Sequence, residues 1–367
     1  METFPDILWK VFGNVSKESK NSTKDFFMRT PTIRDVAQRA GVGVGTVSRV
    51  INGSPQVAAG TRQKVLEAIA ELGFSPNKAA RQLSGGKTST VGVITPFLTY
   101  PSFVERLAGI QDVLDHHDYD LVLYSIRHPQ QTQRKLREIG AQVAVDGLIV
   151  LSFLLQTFTH EELRRMNLKL PLIAVDHDPQ DYYPHIFIDN VAGGRMAAEY
   201  LIRKGHRKIG FVGHVIESAF ENESGFTSSQ RRFKGMKDML LEAGLPINDA
   251  WYQFGAPNEY SACEQALHIL SVPNRPTAIF AAYDTLAFGV QAAIDKLGMK
   301  CPDDVAVIGF DDVKAASYMR LTTVNQQLFH SGELGAQYML ERLKTGSFKP
   351  DHWHVELALT VIERATA

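Results

Sequence analysis

Residues 32–83 read TIRDVAQRAGVGVGTVSRVINGSPQVAAGTRQKVLEAIAELGFSPNKAARQL. Ile33, Val36, Ala37 and Ala40 recur at helical spacing. Thr32 stands ahead of them as a cap, and Asp35 falls in the first turn, where the helix dipole favours a carboxylate. Gly41 supplies a stop able to take positive φ. A second short helix is predicted around Val47, Val50 and Ile51, and a third from Ala59 to Leu72 that buries Val65, Ile69 and Leu72. Two short helices joined by about four residues containing glycine form a helix-turn-helix. So few apolar residues make only a small core, which suits a binding head better than a catalytic domain.

The second helix divides its labour. Val47, Val50 and Ile51 point inward, while Thr46, Ser48, Arg49 and Asn52 point outward. Hydroxyls and amides suit phosphate oxygens, and an arginine suits the O6/N7 edge of guanine. A further short helix is predicted from Ser75-Pro76, with Pro at its first position, and breaks at Gly85-Gly86. It is too short and polar to stand alone. Its Leu83 is suited to act as a wedge between base steps in a minor groove. Two lures fail on context. Gly41, Gly43 and Gly45 lack both the spacing and the preceding strand of a dinucleotide fingerprint, and Gly86-Lys87-Thr88 lacks the first glycine of a phosphate loop.

Charge is distributed to match. The whole chain of 367 residues has a net charge of −1, but residues 31–87 carry eight Lys/Arg against three Asp/Glu, or +5. Residues 1–30 contribute +1 and the remaining 280 contribute −7. A small basic module thus precedes a large acidic body, an arrangement suited to meeting nucleic-acid phosphate with one end only. Residues 1–30 do not read as a signal peptide, because Phe4–Phe12 is too short and Asp6 and Lys10 interrupt it. They read as a disordered extension, either a loose tail or an artefact of start-site choice, with Met28 just ahead of the first element; a short amphipathic helix for a partner is the functional alternative.

From residue 88 onward, strand-like runs alternate with helical patterns. The strands are Val91–Thr95, Leu121–Ser125, Gly147–Leu151, Leu172–Asp176, Ile186–Ile188, Ile209–Gly213, Ala278–Ala282 and Val305–Gly309. Helical patterns lie near 103–117, 131–143, 192–204, 231–243, 259–270, 285–297 and 329–344. Near-continuous aliphatic strands alternating with helices predict α/β architecture with doubly wound parallel sheets. TVGVITP at 90–96 and KIGFVGH at 208–214 each open a fresh series, so two lobes are expected. Ligands in such sheets bind beyond the carboxyl ends of strands. The polar and aromatic residues there are Phe103, Asp176, Arg232, Tyr283, Asp284 and Asp311, with Tyr100 and Asp312 beside them. Carboxylates and an arginine fork suit hydroxyl groups, and an aromatic suits the face of a sugar or ring.

The head and hinge resemble those of the lactose-repressor (LacI/GalR) family of bacterial transcription regulators, above all in TVSRVIN, VLEAIAELGFSPN and AARQL. The resemblance continues through YPSF, VDGLIV, IDNVAGGRMAAEYLIRKGHRKIGFV, RRFKGM, AAYDTLAFG, VAVIGFDD and LTTVNQQ, to about residue 364. It implies an all-α helix-turn-helix domain over 31–75, a hinge helix and linker over 76–87, and a two-lobe periplasmic-binding-protein-like core over 88–367. It implies phosphate contacts from Thr32, Thr46, Ser48, Asn52 and Asn77, base contacts from Val44, Gly45 and Arg49, and minor-groove insertion of Leu83 with Ala80 beside it. Arg232, Asp311 and Asp176 fall on the family's effector-binding positions. Departures are Gly43 in place of a serine, Gly45 without a side chain to read a base, Phe74 in place of tyrosine, and Tyr283 in place of asparagine. The expected protein is a repressor that binds double-stranded operator DNA under the control of a small, sugar-like effector. Some relatives append a tetramerising helix. This chain ends soon after VELALTVIERA, so a homodimer is expected.

An α/β sugar-binding protein or enzyme is the alternative. No nucleophile–base pair or Gly-x-Ser-x-Gly elbow is evident. His116-His117-Asp118, Asp176-His177-Asp178 and His352-Trp353-His354 are each too crowded in sequence to chelate a metal without further ligands, so no cofactor or metal is expected. Two cysteines make no disulfide framework and fit a reducing cytoplasm. No apolar run reaches the ~18 residues that span a bilayer.

Overall fold

The computed structural model describes residues 31–51, 54–74, 88–126, 129–142, 145–151, 161, 170–176, 182–214 and 227–367. Residues 1–30, Asn52 and the hinge with Asn77, Ala80 and Leu83 lie outside the described residues. The chain divides into two units, 1–86 and 87–367.

The first unit contains α1 (Ile33–Ala40), α2 (Val44–Ile51) and α3 (Ala59–Leu72). The Asp35 carboxylate accepts from both the backbone N–H and the hydroxyl of Thr32, each at 2.7 Å, which pins the start of α1. Gly41 ends it at φ 65°, a left-handed turn that costs glycine little. Val36, Ala37, Val47, Val50, Val65, Ala68 and Phe74 form a core of this unit's own. Ile69 and Leu72 are only half-buried, because Ala68 takes the inward place on α3. Phe74 packs into that core, so the ring at this position needs no hydroxyl to be held.

The second unit holds two lobes of like topology. Lobe 1 comprises β1 (Thr90–Thr95), α4 (Pro101–Asp115), β2 (Asp120–Ser125), α5 (Pro129–Gln142), β3 (Gly147–Leu151), β4 (Leu172–Val175) and β5 (His185–Phe187). The chain then crosses to lobe 2: α6 (Asn190–Arg203), β6 (Ile209–His214), α7 (Ser228–Glu242), β7 (Tyr252–Gly255), α8 (Glu259–Ser271), β8 (Ala278–Ala281), α9 (Asp284–Lys296), β9 (Ala306–Asp311), α10 (Lys314–Tyr318) and β10 (Thr322–Asn325). It returns to lobe 1 for α11 (Leu328–Thr345) and β11 (His354–Glu356), then crosses a third time to place β12 (Thr360–Ile362) in lobe 2.

The sheet orders are β11-β5-β4-β3-β1-β2 and β12-β10-β9-β8-β6-β7. Among the described strands only β12 runs antiparallel, against β10. Strands β1, β3, β6, β8 and β9 are buried at every residue, as strands covered by helices on both faces must be. Edge strand β2 is partly exposed. In each lobe a helix pair approaches closely at glycines. A Cβ on Gly109 (α4) would lie 2.0 Å from the Phe329 carbonyl oxygen (α11), and one on Gly194 (α6) 1.9 Å from that of Arg232 (α7).

Several bounds differ from those the sequence predicts. Helix α7 begins at Ser228, not near 231, because Thr227 and Gln230 form a reciprocal capping box at 3.2 and 2.8 Å. Strand β9 extends to Asp311, so that residue ends the strand and does not follow it. Strands β7, β10 and β11 are short and mix polar with apolar residues, which hides them from a pattern search.

Candidate functional site

In the first unit, α2 is divided in part as its sequence predicts, with Ile51 half-buried and Asn52 outside the described residues. Val47 and Val50 are buried. Val44, Gly45 and Arg49 are exposed, with Thr46 and Ser48 half-exposed. The bare Gly43 carbonyl accepts from Thr46 and Val47 N–H at 2.9 and 3.2 Å, so α2 starts on backbone alone. Thr32 has its hydroxyl committed to Asp35.

In the second unit, a buried polar network joins the two lobes at the carboxyl ends of their strands. The Arg106 guanidinium, on α4 of lobe 1, lies 3.2 Å from Asp176 Oδ1, just past β4. The same nitrogen donates to Gln326 Oε1 at 2.9 Å. The Gln326 amide donates in turn to Asp311 Oδ1 at the end of β9. Asp311 lies 3.5 Å from a terminal nitrogen of Arg232. Arg232 also donates to Asn190 Oδ1 at 2.9 Å and to the Ala282 carbonyl at 2.7 Å, past the end of β8. Its guanidinium carbon sits 3.5 Å over the Phe310 ring and 5.0 Å from that of Tyr283. A second link is the Lys314 N–H at the start of α10, which donates to Glu105 on α4 at 2.6 Å.

Backbone strain collects at the same place. Asp176, Asp311 and Asp312 have φ of 61°, 120° and 58°, conformations that non-glycine residues rarely adopt and that cluster at functional sites. Asp312 is held by Arg364 at 2.6 Å and by the Asn325 amide at 2.7 Å.

Burial governs the titration of these groups. It pushes the Asp311 carboxyl up to about 6, with Arg232 and Arg106 pulling the other way. Burial and Arg232 push His214 down to about 4, so its ring is neutral near pH 7. Its ring lies 5.2 Å from Tyr283, whose phenol burial pushes up to about 12. The Tyr283 hydroxyl shares a hydrogen bond with Ser228 at 2.9 Å. The Arg106 Nε and His214 Nδ1 are buried with no hydrogen-bond partner among the described residues. Such orphans typically cost about 1–3 kcal/mol each until something meets them.

Asp311 should make stability depend on pH in a definite direction. A carboxyl whose folded pKa is raised favours the folded state fully below its unfolded pKa of about 4. That advantage is lost as pH rises through about 6. Asp311→Asn does not titrate there. Its stability relative to wild type should therefore rise as pH climbs from 4 through 6, as read by urea unfolding at each pH, and relief of the repulsion on Asp284 adds to the same sign. The His214 contribution is common to both chains and cancels. A flat difference would remove the assignment.

The structure thus brings together Asp176, Arg232, Tyr283 and Asp311 of the predicted set. Phe103 is buried one turn before Arg106 on α4, packed with Phe97 and Tyr100. Asp284 is fully buried and turned to internal duty: its oxygens accept from Val313 N–H at 2.9 Å and the Thr323 hydroxyl at 2.6 Å. Burial and the nearby Asp311 hold its carboxyl well above the usual range. Sequence reasoning missed Arg106, Gln326 and Asn190. Gln326 and Asn190 stand inside the quoted motifs LTTVNQQ and IDNVAGG; nothing marks Arg106 among the polar residues of its helix. Among the described residues no group of His, Cys, Asp and Glu could hold a metal ion, and no helix is long and apolar enough to cross a membrane.

Comparison with known proteins gives the same two-part division. Residues 32–77 match the family model of bacterial regulatory proteins of the lacI family, and residues 198–367 match the periplasmic binding protein-like domain. The chain is 33% identical over 310 residues to catabolite control protein A of Priestia megaterium, covering 84% of this chain and 91% of that one. It is 35% identical over 317 residues to the HTH-type transcriptional repressor PurR of Vibrio parahaemolyticus, covering 85% and 92%. Its fold is similar to that of the lac repressor dimer bound to operator and the anti-inducer ONPF, with a TM-score of 0.77, 26% identity and coverage of 92% and 99%. It is also similar to the transcriptional regulator CelR in complex with cellobiose, with a TM-score of 0.64, 28% identity and coverage of 92% and 100%. These relatives are transcriptional regulators, not enzymes. A helix-turn-helix head, two lobes of doubly wound sheet and relatives spanning nearly the full length agree: the chain belongs to the lacI family of bacterial regulatory proteins, DNA-binding transcriptional regulators with an effector-binding domain.

Proposed function

We propose that this protein is a cytoplasmic, homodimeric repressor whose grip on a roughly palindromic operator is set by a sugar-like effector held between its lobes. The observation that carries the DNA reading is the division of α2, with Val47 and Val50 sunk in the head's core and Val44, Gly45 and Arg49 left outside. A two-fold dimer reads two half-sites, one per head. Direct base contact falls to Arg49 and Val44, since Gly45 offers no side chain. Phosphate contact falls to Thr46 and Ser48, joined by Asn52 and Asn77, and to Thr32 by exchange of its Asp35 partner for a phosphate oxygen; the minor groove falls to Ala80 and Leu83. That a similar structure is a dimer on operator, and another a cellobiose complex, supports both the assembly and the ligand class.

The effector reading rests on Asp176, Asp311, Arg232 and Tyr283, which offer acceptors, a donor fork and an aromatic face to a small polyhydroxylated molecule. Because Tyr283 is bulky and half-buried beside Arg232, the ligand should be smaller or flatter at that point than one bound beside an asparagine. The effector shifts operator affinity only by its differential affinity for two lobe arrangements.

Arg49→Ala is expected to weaken operator binding by about 1–3 kcal/mol and to relax preference at one base position per half-site. Operators selected from a random duplex library, followed by anisotropy titration at several salt concentrations, test this. An Arg49→Ala protein that selects the same sequences with the same affinity removes the base-reading role. A wild-type chain that selects no sequence at all removes the regulator reading itself.

A further inference from the structure

Arg106 belongs to none of the positions that the motifs single out, yet it stands at the centre of the lobe-to-lobe network. It is 2% exposed. One terminal nitrogen is shared between Asp176 and Gln326, the other lies 3.4 Å from the Ser102 carbonyl, and Nε–H has no acceptor among the described residues. Arg232 is its counterpart in lobe 2, 1% exposed and opposite Asp311. Two guanidiniums therefore answer two carboxylates, three of the four groups buried and Asp176 half-buried, and these four groups carry no net charge. A ligand without charge leaves this balance intact. A ligand carrying a carboxylate or phosphate adds a charge for which the cluster holds no uncommitted cation among the described residues, a costly arrangement.

We propose that Arg106 is a specificity-determining residue of the ligand site: it neutralises Asp176 and offers its Nε–H to an acceptor oxygen, so the site admits an uncharged polyhydroxylated molecule and rejects the carboxylated or phosphorylated counterpart. This rests on the effector reading above and adds to it both the residue and the charge rule. Without Arg106, Asp176 would lose its ion-pair partner while its charge still acted on Asp311, and Gln326 would lose its lobe-1 donor.

The test uses the full-length chain and calorimetric titration with neutral mono- and disaccharides, the matching uronic acids and the matching sugar phosphates. Wild type is expected to bind at least one neutral sugar and to ignore its anionic counterparts. Arg106→Leu should weaken that binding about tenfold or more, the worth of a hydrogen bond to a charged group. Arg106→Lys keeps the charge without the Nε–H, so it should weaken binding yet retain the preference for neutral sugars. Equal affinity for a neutral sugar and its phosphate, or unchanged binding by Arg106→Leu, overturns the proposal. If wild type binds none of the probes, the sugar reading fails, and the charge rule with it. The neutralising role of Arg106 is then decided without ligand. Asp311 is faced by Arg232, Arg106, Asp176 and Gln326, with Asp284 behind it. Loss of Arg106 should move its titration, read from the pH dependence of stability, upward in both variants' comparison: clearly in Arg106→Leu and little in Arg106→Lys. An unmoved profile in Arg106→Leu overturns that role as well.

Discussion

Arg232→Met is expected to destabilise the two-lobe unit by about 3–5 kcal/mol, because it strips the partner from a buried carboxylate. The side chain is 1% exposed, with its guanidinium carbon 3.5 Å over the Phe310 ring. Methionine can fill much of that volume, so the loss is chiefly electrostatic. Asp311 keeps its amide donor from Gln326 but loses the cation opposite it, and the Ala282 carbonyl and Asn190 Oδ1 each lose a donor. Urea unfolding measures the cost. The double variant Arg232→Met/Asp311→Asn should recover a sizeable part of it, since no unpaired charge remains buried. If the two single losses simply add in the double variant, the two groups are not interacting and this account of the network is wrong. The effector response is lost along with stability, which a ligand contact on an open surface would not entail.

The second large effect is expected from a single methyl group. Gly194→Ala places a Cβ 1.9 Å from the Arg232 carbonyl oxygen, where no atom fits. The obstacle is backbone, so no rotamer change relieves it, and α6 and α7 must separate. Overpacking of this kind costs about 3 kcal/mol, at the upper end of its usual range. The same contact runs the other way at Gly235, whose Cβ would meet the Val191 carbonyl oxygen at 2.0 Å. The displaced segment carries Arg232 itself, so the variant should both melt earlier and bind effector less well. Differential scanning calorimetry reads the first and ligand titration the second. A Gly194→Ala protein that melts with wild type would mean that the two helices are not held at this spacing in solution.

Much of this architecture is legible in the sequence, and the illegible parts share a physical cause. Buried parallel strands such as Gly147–Leu151 and Ala278–Ala281 are continuous aliphatic runs and stand out by composition. The capping glycine Gly41 and the inward valines of α2 are equally plain. Short strands such as Thr322–Asn325 are made by their neighbours in the sheet and have no pattern of their own. The site residues divide likewise. Asp176 and Asp311 follow aliphatic runs and are found by looking past strand ends. Arg106 lies in mid-helix, where a polar residue ordinarily faces water, and only the tertiary structure shows it buried. Asp284 errs in the other direction. It sits where a ligand group should, but its partners, Val313 and Thr323, come from segments far along the chain.

The three passages of the chain between lobes have a consequence for synthesis on the ribosome. Lobe 1 is begun first, yet α11 and β11, which complete it, come from residues after 327. Lobe 2 in turn waits for β12 and for Thr366, whose carbonyl accepts from Val307 N–H at 2.7 Å. Neither half can close its sheet until translation is nearly finished. The emerging polypeptide therefore carries two unfinished, strongly aliphatic sheets at once, the condition under which nascent chains depend most on protection from aggregation.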